Sequence, residues 1–175
     1  MKKLLTIILI AFVAFTCLTA SAELAAGDNA PEISAAAWLN GDGLKLADNK
    51  DKTVVVEFWA TWCPPCRASI PHLKKMNAEM QGKNIVFVSL TNEDKATVEK
   101  FNEKAGMNWL VGVGSNTASE YGVNGIPHAF IVQNGKIIWE GHPMGGLEEK
   151  LKELLKLILD TALADFISEY SISLL

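Results

Sequence analysis

The stretch WATWCPPCRASIP, residues 59 to 71, places two cysteines two residues apart at the start of a predicted helix. A sulfur at the amino end of a helix faces unpaired backbone N–H groups and the positive end of the helix dipole, which favour the thiolate. Cys66 follows Cys63 by three residues, so both side chains lie on one face of the helix. The pair suits three chemistries: a reactive dithiol, part of a metal site, or a structural disulfide.

The cysteine count separates these alternatives. Cys17 lies within a predicted leader, so Cys63 and Cys66 are the only cysteines of the mature chain. A disulfide across two residues closes too short a loop to restrain the unfolded chain much. A closed zinc site normally has four ligands, and only one Cys-x-x-Cys is present. Copper(I) transfer stays open because soft thiolates favour Cu(I), but the prediction is a redox dithiol without metal or cofactor.

The two prolines between the cysteines indicate the direction of the redox reaction. In a dithiol mechanism Cys63 attacks a substrate disulfide, and Cys66 then displaces the substrate from Cys63. Pro64 and Pro65 carry no N–H, so few backbone donors can stabilise the Cys63 thiolate. We therefore predict a reductant whose Cys63 pKa is lowered only moderately. A disulfide oxidase or isomerase uses the same residues, so the direction stays open to that alternative.

Glu57 interrupts the apolar run TVVVEFWA, residues 53 to 60. Side chains alternate along a strand, so Glu57 lies on the same side as Val55 and Trp59. Burial raises the pKa of a carboxyl group, which would let Glu57 accept a proton from Cys66 when that thiol becomes the second nucleophile. The alternative is a solvated glutamate on an edge strand.

The rest of the chain alternates strand and helix patterns before it turns to antiparallel signals. A second buried strand is expected over Ile85 to Leu90. Asn134-Gly135 between two β runs predicts a hairpin, and a glycine-rich turn at 38 to 44 is typical of another. Helices are expected over 64–81, from a cap at 91–94 to about 105, over 115–121, and after Gly146. This order predicts an α/β fold with a mixed central sheet and helices on both faces.

Two segments, VVVEFWATWCPPCRASIPHL and YGVNGIPHAFIVQNGKIIWEGHP, resemble the TlpA-like thiol-disulfide oxidoreductases of the thioredoxin superfamily. The resemblance implies a thioredoxin-like three-layer fold over residues 30 to 160. It also implies a cis Pro127 beside Cys63 and a main chain at Ile126 that pairs with a substrate strand. The implied site residues are four catalytic ones and five that contact substrate: Cys63, Cys66, Glu57 and Pro127, then Trp62, Pro64, Pro65, Ile126 and His128.

The first 22 residues differ from the rest in composition. A positive start at Lys2 and Lys3 precedes an uncharged stretch from 4 to 18 and a small-residue pattern at 20 to 22. This pattern predicts a secretory signal peptide over residues 1 to 22 and export to the periplasm or a similar compartment. An uncleaved membrane anchor is the alternative. Residues 23 to 29 are expected to form a tether.

The net charge and the carboxyl-terminal tail limit which partners are expected. The net charge is −4, and it is more negative without the leader, so nucleic acid is not an expected partner. The expected partners are a disulfide-bearing protein and an exported or membrane-embedded thiol donor. An apolar helical stripe continues into residues 161 to 175, outside the resemblance. We expect this extension to pack on its own domain and the protein to be a monomer rather than a homodimer.

Overall fold

The computed structural model describes residues 23 to 173, and the predicted leader lies outside them. Its six described strands form one mixed sheet in the order β1-β4-β3-β2-β5-β6. They are β1 (Ala37–Leu39), β2 (Thr53–Phe58), β3 (Ile85–Leu90), β4 (Leu110–Val113), β5 (His128–Gln133) and β6 (Lys136–Gly141). β2 pairs in parallel with β3 and antiparallel with β5, so the strand that leads to the cysteines lies inside the sheet.

Four helices cover the sheet: α1 (Pro64–Met80), α2 (Lys95–Ala105), α3 (Thr117–Glu120) and α4 (Leu147–Ser173). α1, α2 and α4 contribute side chains to a core on one face. The opposite face is covered by α3 and by a 3-10 turn at Leu46–Asp48. The predicted mixed sheet with helices on both faces is therefore confirmed.

The local signals for α2 act as the sequence predicts. The Asp94 carboxylate accepts a hydrogen bond from the Thr97 N–H at 2.9 Å, which caps the first turn. Gly106 ends the helix with a φ of +65°, in the left-handed region that glycine adopts at little cost. The hairpin around Asn134-Gly135 also forms, because β5 and β6 pair on either side of it.

The edge of the sheet differs from the prediction. The glycine-rich turn after Trp38 does not close a hairpin; β1 instead pairs antiparallel with β4, a strand that the sequence pattern did not predict. β4 has four residues and includes Gly112. A Cβ on Gly112 would lie 2.6 Å from the Leu90 side chain, so glycine permits close approach of the neighbouring strand.

The segment expected as a tether is hydrogen-bonded to the domain. The Leu24 N–H donates to the Tyr121 carbonyl at 3.2 Å, and the Gly27 N–H donates to the Ile137 carbonyl at 2.8 Å. Asn29 forms an antiparallel bridge with Lys136 at the start of β6. Residues 24 to 29 therefore cover part of the outer edge of the sheet.

The first turns of α4 pack on the domain, whereas later turns extend beyond it. Leu147 and Leu151 are fully buried. Leu163 and Ile167 are 58% and 55% exposed, so the expected packing of the extension on its own domain is not seen at these residues. The start of the helix therefore covers the core with Leu147 and Leu151, and Leu154 and Leu155 pack against it. Within residues 23 to 173, no helix is both long and apolar enough to cross a membrane.

Candidate active site

A disulfide joins Cys63 and Cys66 at the start of α1. Their Cα atoms are 5.3 Å apart, and Cys63 is the N-cap of the helix. The Cys66 N–H donates to the Cys63 sulfur at 3.2 Å, so the helix terminus does point a backbone donor at this atom. The structure thus holds the oxidised form of the dithiol that the spacing predicts.

The two sulfurs differ in access. Cys66 is fully buried, whereas Cys63 keeps 3% of its surface exposed. Both prolines between them are exposed, and Trp62 beside them is 68% exposed. Cys63 is therefore the member of the pair that a substrate sulfur can reach, although its opening is narrow. Cys66 lies deeper in the protein, where it contacts Cys63 and not the solvent.

Ile126 and Pro127 lie against the disulfide. The peptide bond between them is cis, as the resemblance implies. The Cys63 sulfur lies 3.7 Å from the Ile126 carbonyl oxygen. Pro127 is buried and Ile126 is half-buried, so the main chain of this loop borders the accessible sulfur.

Glu57 is 2% exposed in the middle of the sheet, which excludes the solvated edge-strand alternative. Burial removes water from the carboxylate and raises the pKa of Glu57 from 4.5 to about 7, with an opposing effect from a hydrogen bond donated by the Ser89 hydroxyl. The Trp109 indole N–H donates to the Ser89 oxygen at 2.7 Å. Ser89 and Trp109 were not predicted from the sequence, because a serine within the apolar strand β3 and a tryptophan just before β4 carry no pattern that points to a carboxylate.

The side chain of Glu57 faces the same core as the cysteines. Its strand neighbours on that side, Val55 and Trp59, belong to the cluster that contains Cys63 and Cys66. β2 therefore delivers a titratable carboxyl group to the dithiol face of the sheet.

His128 is adjacent to Pro127 in sequence, but its side chain does not lie on the dithiol face. It is directly opposite Phe58 in the β2–β5 pair and its ring contacts Phe130 at 4.9 Å, which places it on the other face of the sheet. Its Nε2 lies 2.8 Å from Glu140 and its Nδ1 lies 3.3 Å from Glu23. The strand alternation after Pro127 turns this ring away from the sulfurs.

Glu93 holds the loop that carries the motif, and sequence reasoning saw it only as part of a helix cap. Its carboxylate accepts hydrogen bonds from the Thr61 N–H at 2.7 Å and from the Thr61 hydroxyl at 2.6 Å. The Thr91 hydroxyl donates to it at 3.1 Å. Glu93 follows β3 and Thr61 follows β2, and the ends of these parallel strands meet at one sheet edge. The predicted parallel pairing of these two strands could therefore have indicated that Glu93 and Thr61 lie close together.

A cleft of about 270 Å³ opens beside the disulfide. Trp62 and Ile126 border it next to Cys63, and Asn92, Asn116 and Ser119 supply polar groups along it. No group of three or more histidine, cysteine or acidic residues within 23 to 173 has a geometry that could hold a metal ion. Trp62 and Ile126 thus connect the disulfide to a cleft with both polar and apolar lining.

Solved structures with this fold include several thiol-disulfide proteins. The thioredoxin domain of a thiol-disulfide oxidoreductase from Bacteroides vulgatus superposes with a TM-score of 0.68 at 26% identity, over 76% of this chain and 99% of its own. A thiol:disulfide interchange protein, DsbE, from Chlorobium tepidum superposes with a TM-score of 0.67 at 28% identity, over 77% of this chain and 99% of its own.

Sequence comparison identifies the family. The thiol-disulfide oxidoreductase ResA of Geobacillus thermodenitrificans is 30% identical over 146 residues, which are 78% of this chain and 83% of that protein. ResA of Halalkalibacterium halodurans is 28% identical over 123 residues, 69% of this chain and 70% of that protein. The Redoxin family pattern matches residues 25–155. The chain therefore belongs to the Redoxin family, as a TlpA-like member of the thioredoxin superfamily of thiol-disulfide oxidoreductases.

Proposed function

We propose that this protein is an exported reductase that transfers two electrons from its dithiol to a disulfide of a partner protein. The observation that carries the direction is the small number of donors at the Cys63 sulfur. Among the described residues one backbone N–H reaches it, from Cys66, and Pro64 and Pro65 have none to donate. A thiolate with few donors is less stable relative to the disulfide, so the dithiol gives up electrons more readily.

The first step uses the exposed edge of Cys63. Its thiolate attacks one sulfur of the substrate disulfide, so that a mixed disulfide forms while the substrate S–S bond breaks. The departing substrate sulfur leaves as a thiolate and takes a proton from water. The buried position of Cys66 prevents it from competing as the first nucleophile.

The second step needs a proton acceptor for Cys66. Glu57 in its ionised form takes the thiol proton, and the Cys66 thiolate attacks the Cys63 sulfur. The mixed disulfide breaks, the second substrate sulfur leaves as a thiolate, and the Cys63–Cys66 disulfide forms. A carboxyl group with a pKa of about 7 can accept this proton and return it at neutral pH.

Main-chain pairing supplies the substrate contact. The half-buried Ile126 next to Cys63 offers backbone groups to an extended substrate segment. Trp62 and the exposed Pro64 and Pro65 form a rim around the sulfur, and the adjoining cleft accepts a substrate side chain. Backbone recognition of this kind selects few sequences, so selectivity must come from the surrounding surface.

Export and a separate electron donor complete the proposal. The leader pattern of residues 1 to 22 supports export. Each substrate that is reduced leaves the dithiol oxidised, so an exported or membrane-embedded thiol donor must restore it. Glu57 then returns its proton to Cys66 as the bridge opens.

The equilibrium reduction potential against glutathione tests the direction. We expect a potential nearer to the thioredoxin value of about −270 mV than to the value of about −120 mV for strong periplasmic oxidants. A potential near the oxidant value would contradict the reductase proposal and favour an oxidase. Two further measurements distinguish a reductase from a copper carrier. A reductase reduces insulin, whereas a copper carrier holds copper in its reduced form.

A further inference from the structure

A second groove lies between α1 and α2, with a volume of about 680 Å³. Its apolar lining comes from Ile70 and Pro71 on α1 and from Phe101 and Ala105 on α2. Phe101 and Ala105 are four residues apart and lie on one face of α2, and Ile70 and Pro71 meet them from α1. The groove can therefore receive apolar side chains as well as polar ones.

Three cations surround this apolar floor: Arg67, Lys100 and Lys104. None of them forms an ion pair with a carboxylate among residues 23 to 173. Among the lysines of the described chain, Lys75, Lys95, Lys150 and Lys152 each face an acidic partner within 3.7 Å. No carboxylate of the described chain therefore competes with an acidic partner for the three cations of the groove.

The charges of α2 are sorted by helix face. Lys100 and Lys104 are four residues apart and line the groove, whereas Glu99 and Glu103 do not line it. Glu99 is paired with Lys95. All charged side chains that line the groove are therefore basic.

The groove is continuous with the redox site. Thr61, two residues before Cys63, lines it, and Arg67 directly follows Cys66. Phe101 packs against Trp59 with ring centroids 5.5 Å apart, which joins the floor of the groove to the loop that carries the motif. A segment bound here would lie beside whatever occupies Cys63.

We propose that this groove docks an acidic segment with apolar side chains, from the protein whose disulfide is reduced. The inference rests on the proposed function and adds the chemistry of the partner. Carboxylates of the segment face Arg67, Lys100 and Lys104, and its apolar side chains cover Phe101 and the neighbouring floor. A small inorganic anion would leave that floor uncovered, so a peptide suits the groove better. Charge complementarity of this kind increases the rate of encounter and selects the partner.

The test uses three peptide disulfides that differ only in the flank after the bridged cysteine, which alternates leucine with glutamate, glutamine or lysine. Neutral 2-hydroxyethyl disulfide reports exchange without docking. With the reduced wild-type protein at low salt, we expect the glutamate peptide to react about tenfold faster than the glutamine peptide. The lysine peptide should be slowest, and 0.5 M salt should remove most of the difference.

The double variant Lys100→Glu, Lys104→Glu should lose the glutamate preference and react normally with 2-hydroxyethyl disulfide. Arg67 is left intact because it adjoins Cys66. The matched control Lys50→Glu, Lys83→Glu makes the same charge change at the opposite end of the sheet and should keep the preference. Equal rates for the glutamate and glutamine peptides, or an equal loss in the control variant, would overturn the proposal.

A binding measurement separates this inference from the redox chemistry. Peptides with serine in place of cysteine are titrated into the oxidised protein and followed by fluorescence anisotropy. We expect the glutamate peptide to bind about tenfold more weakly to the Lys100→Glu, Lys104→Glu variant than to the wild type. No reaction with 2-hydroxyethyl disulfide would refute the reductase proposal alone, whereas unchanged binding would refute the groove.

Discussion

The two faces of the central sheet have the same backbone support but different contents. On the α1 face the core includes Cys63, Cys66 and the buried Glu57. On the opposite face, Phe58, Tyr121 and Phe130 pack as an aromatic cluster with ring centroids 4.9 to 5.9 Å apart. β2 serves both, because Glu57 and Phe58 are consecutive and point in opposite directions.

The comparison shows that chemistry and stability are divided between the faces. The pKa of Glu57 rises from 4.5 to about 7 on folding, which corresponds to a cost of about 3 kcal/mol when the group is ionised. The aromatic face bears no such cost, since its fully buried rings have no charge to desolvate. Its apolar burial offsets the destabilising carboxylate on the other face.

The largest effect is expected where the dithiol itself is changed. Cys63→Ser removes the first nucleophile and should lower disulfide reduction at least about a thousandfold. Cys66→Ser should keep the first attack and accumulate the mixed disulfide, detectable by mass spectrometry as the protein plus substrate. Mixed disulfide on Cys66 in the Cys63→Ser variant at the wild-type rate would reverse the assigned order.

Removing an aromatic ring from the opposite face tests whether that face contributes stability and not redox chemistry. Phe130→Ala should lower the free energy of unfolding by about 3 to 5 kcal/mol, because it leaves a cavity among Phe58 and Tyr121. The reduction potential of the folded protein should stay unchanged. Urea denaturation gives the first quantity and glutathione equilibration the second. A shifted potential with little loss of stability would break the division between the faces.

Glu57→Gln should affect stability and activity in opposite directions. The folded state binds more protons than the unfolded state between pH 4.5 and about 7, so the wild type loses stability as pH rises through this range. At pH 8 the variant should be more stable by about 3 kcal/mol, and at pH 4 the two should be similar.

The same variant should slow the second step at least about tenfold above pH 7, since no carboxylate takes the Cys66 proton. Quenched-flow mass spectrometry would follow the decay of the mixed disulfide. Glu103 is exposed, so Glu103→Gln serves as the matched control. It should change neither the free energy of unfolding nor the rate of the second step. Wild-type resolution in Glu57→Gln would remove the proton-acceptor role.

The smallest effect is expected at His128. His128→Ala removes the contacts to Glu140 and Glu23, which are partly exposed pairs, and should cost less than about 1 kcal/mol. Substrate reduction should stay within about twofold, because the ring lies on the face away from the dithiol. A much larger loss of activity would support the substrate-binding role of His128 that the resemblance implies.

Local patterns predicted much of the site. The Cys-x-x-Cys spacing placed both sulfurs at a helix start, and one charge in an apolar run predicted the buried Glu57. The cis bond before Pro127 followed from resemblance, since an isolated X-Pro pair gives no such signal. These features depend on a few consecutive residues, which is why they can be read from the chain.

Long-range features were missed for a common reason. β4 is a four-residue strand whose partner β1 lies more than seventy residues earlier, so no local pattern announces the pairing. The bonds from Thr61 to Glu93 span the ends of two different strands. The groove between α1 and α2 likewise exists only when both helices pack on the same face.

The sequence by itself determined the dithiol, its proline spacer and the buried carboxyl group, because these follow from residue type and from periods of two and 3.6 residues. Tertiary structure alone decided which face each side chain joins, that Glu93 holds the motif loop, and that His128 turns away. It also decided that the apolar side chains of Leu159, Leu163 and Ile167 on α4 stay exposed. Such outcomes depend on sheet order and helix packing, which bring together residues that are distant along the chain.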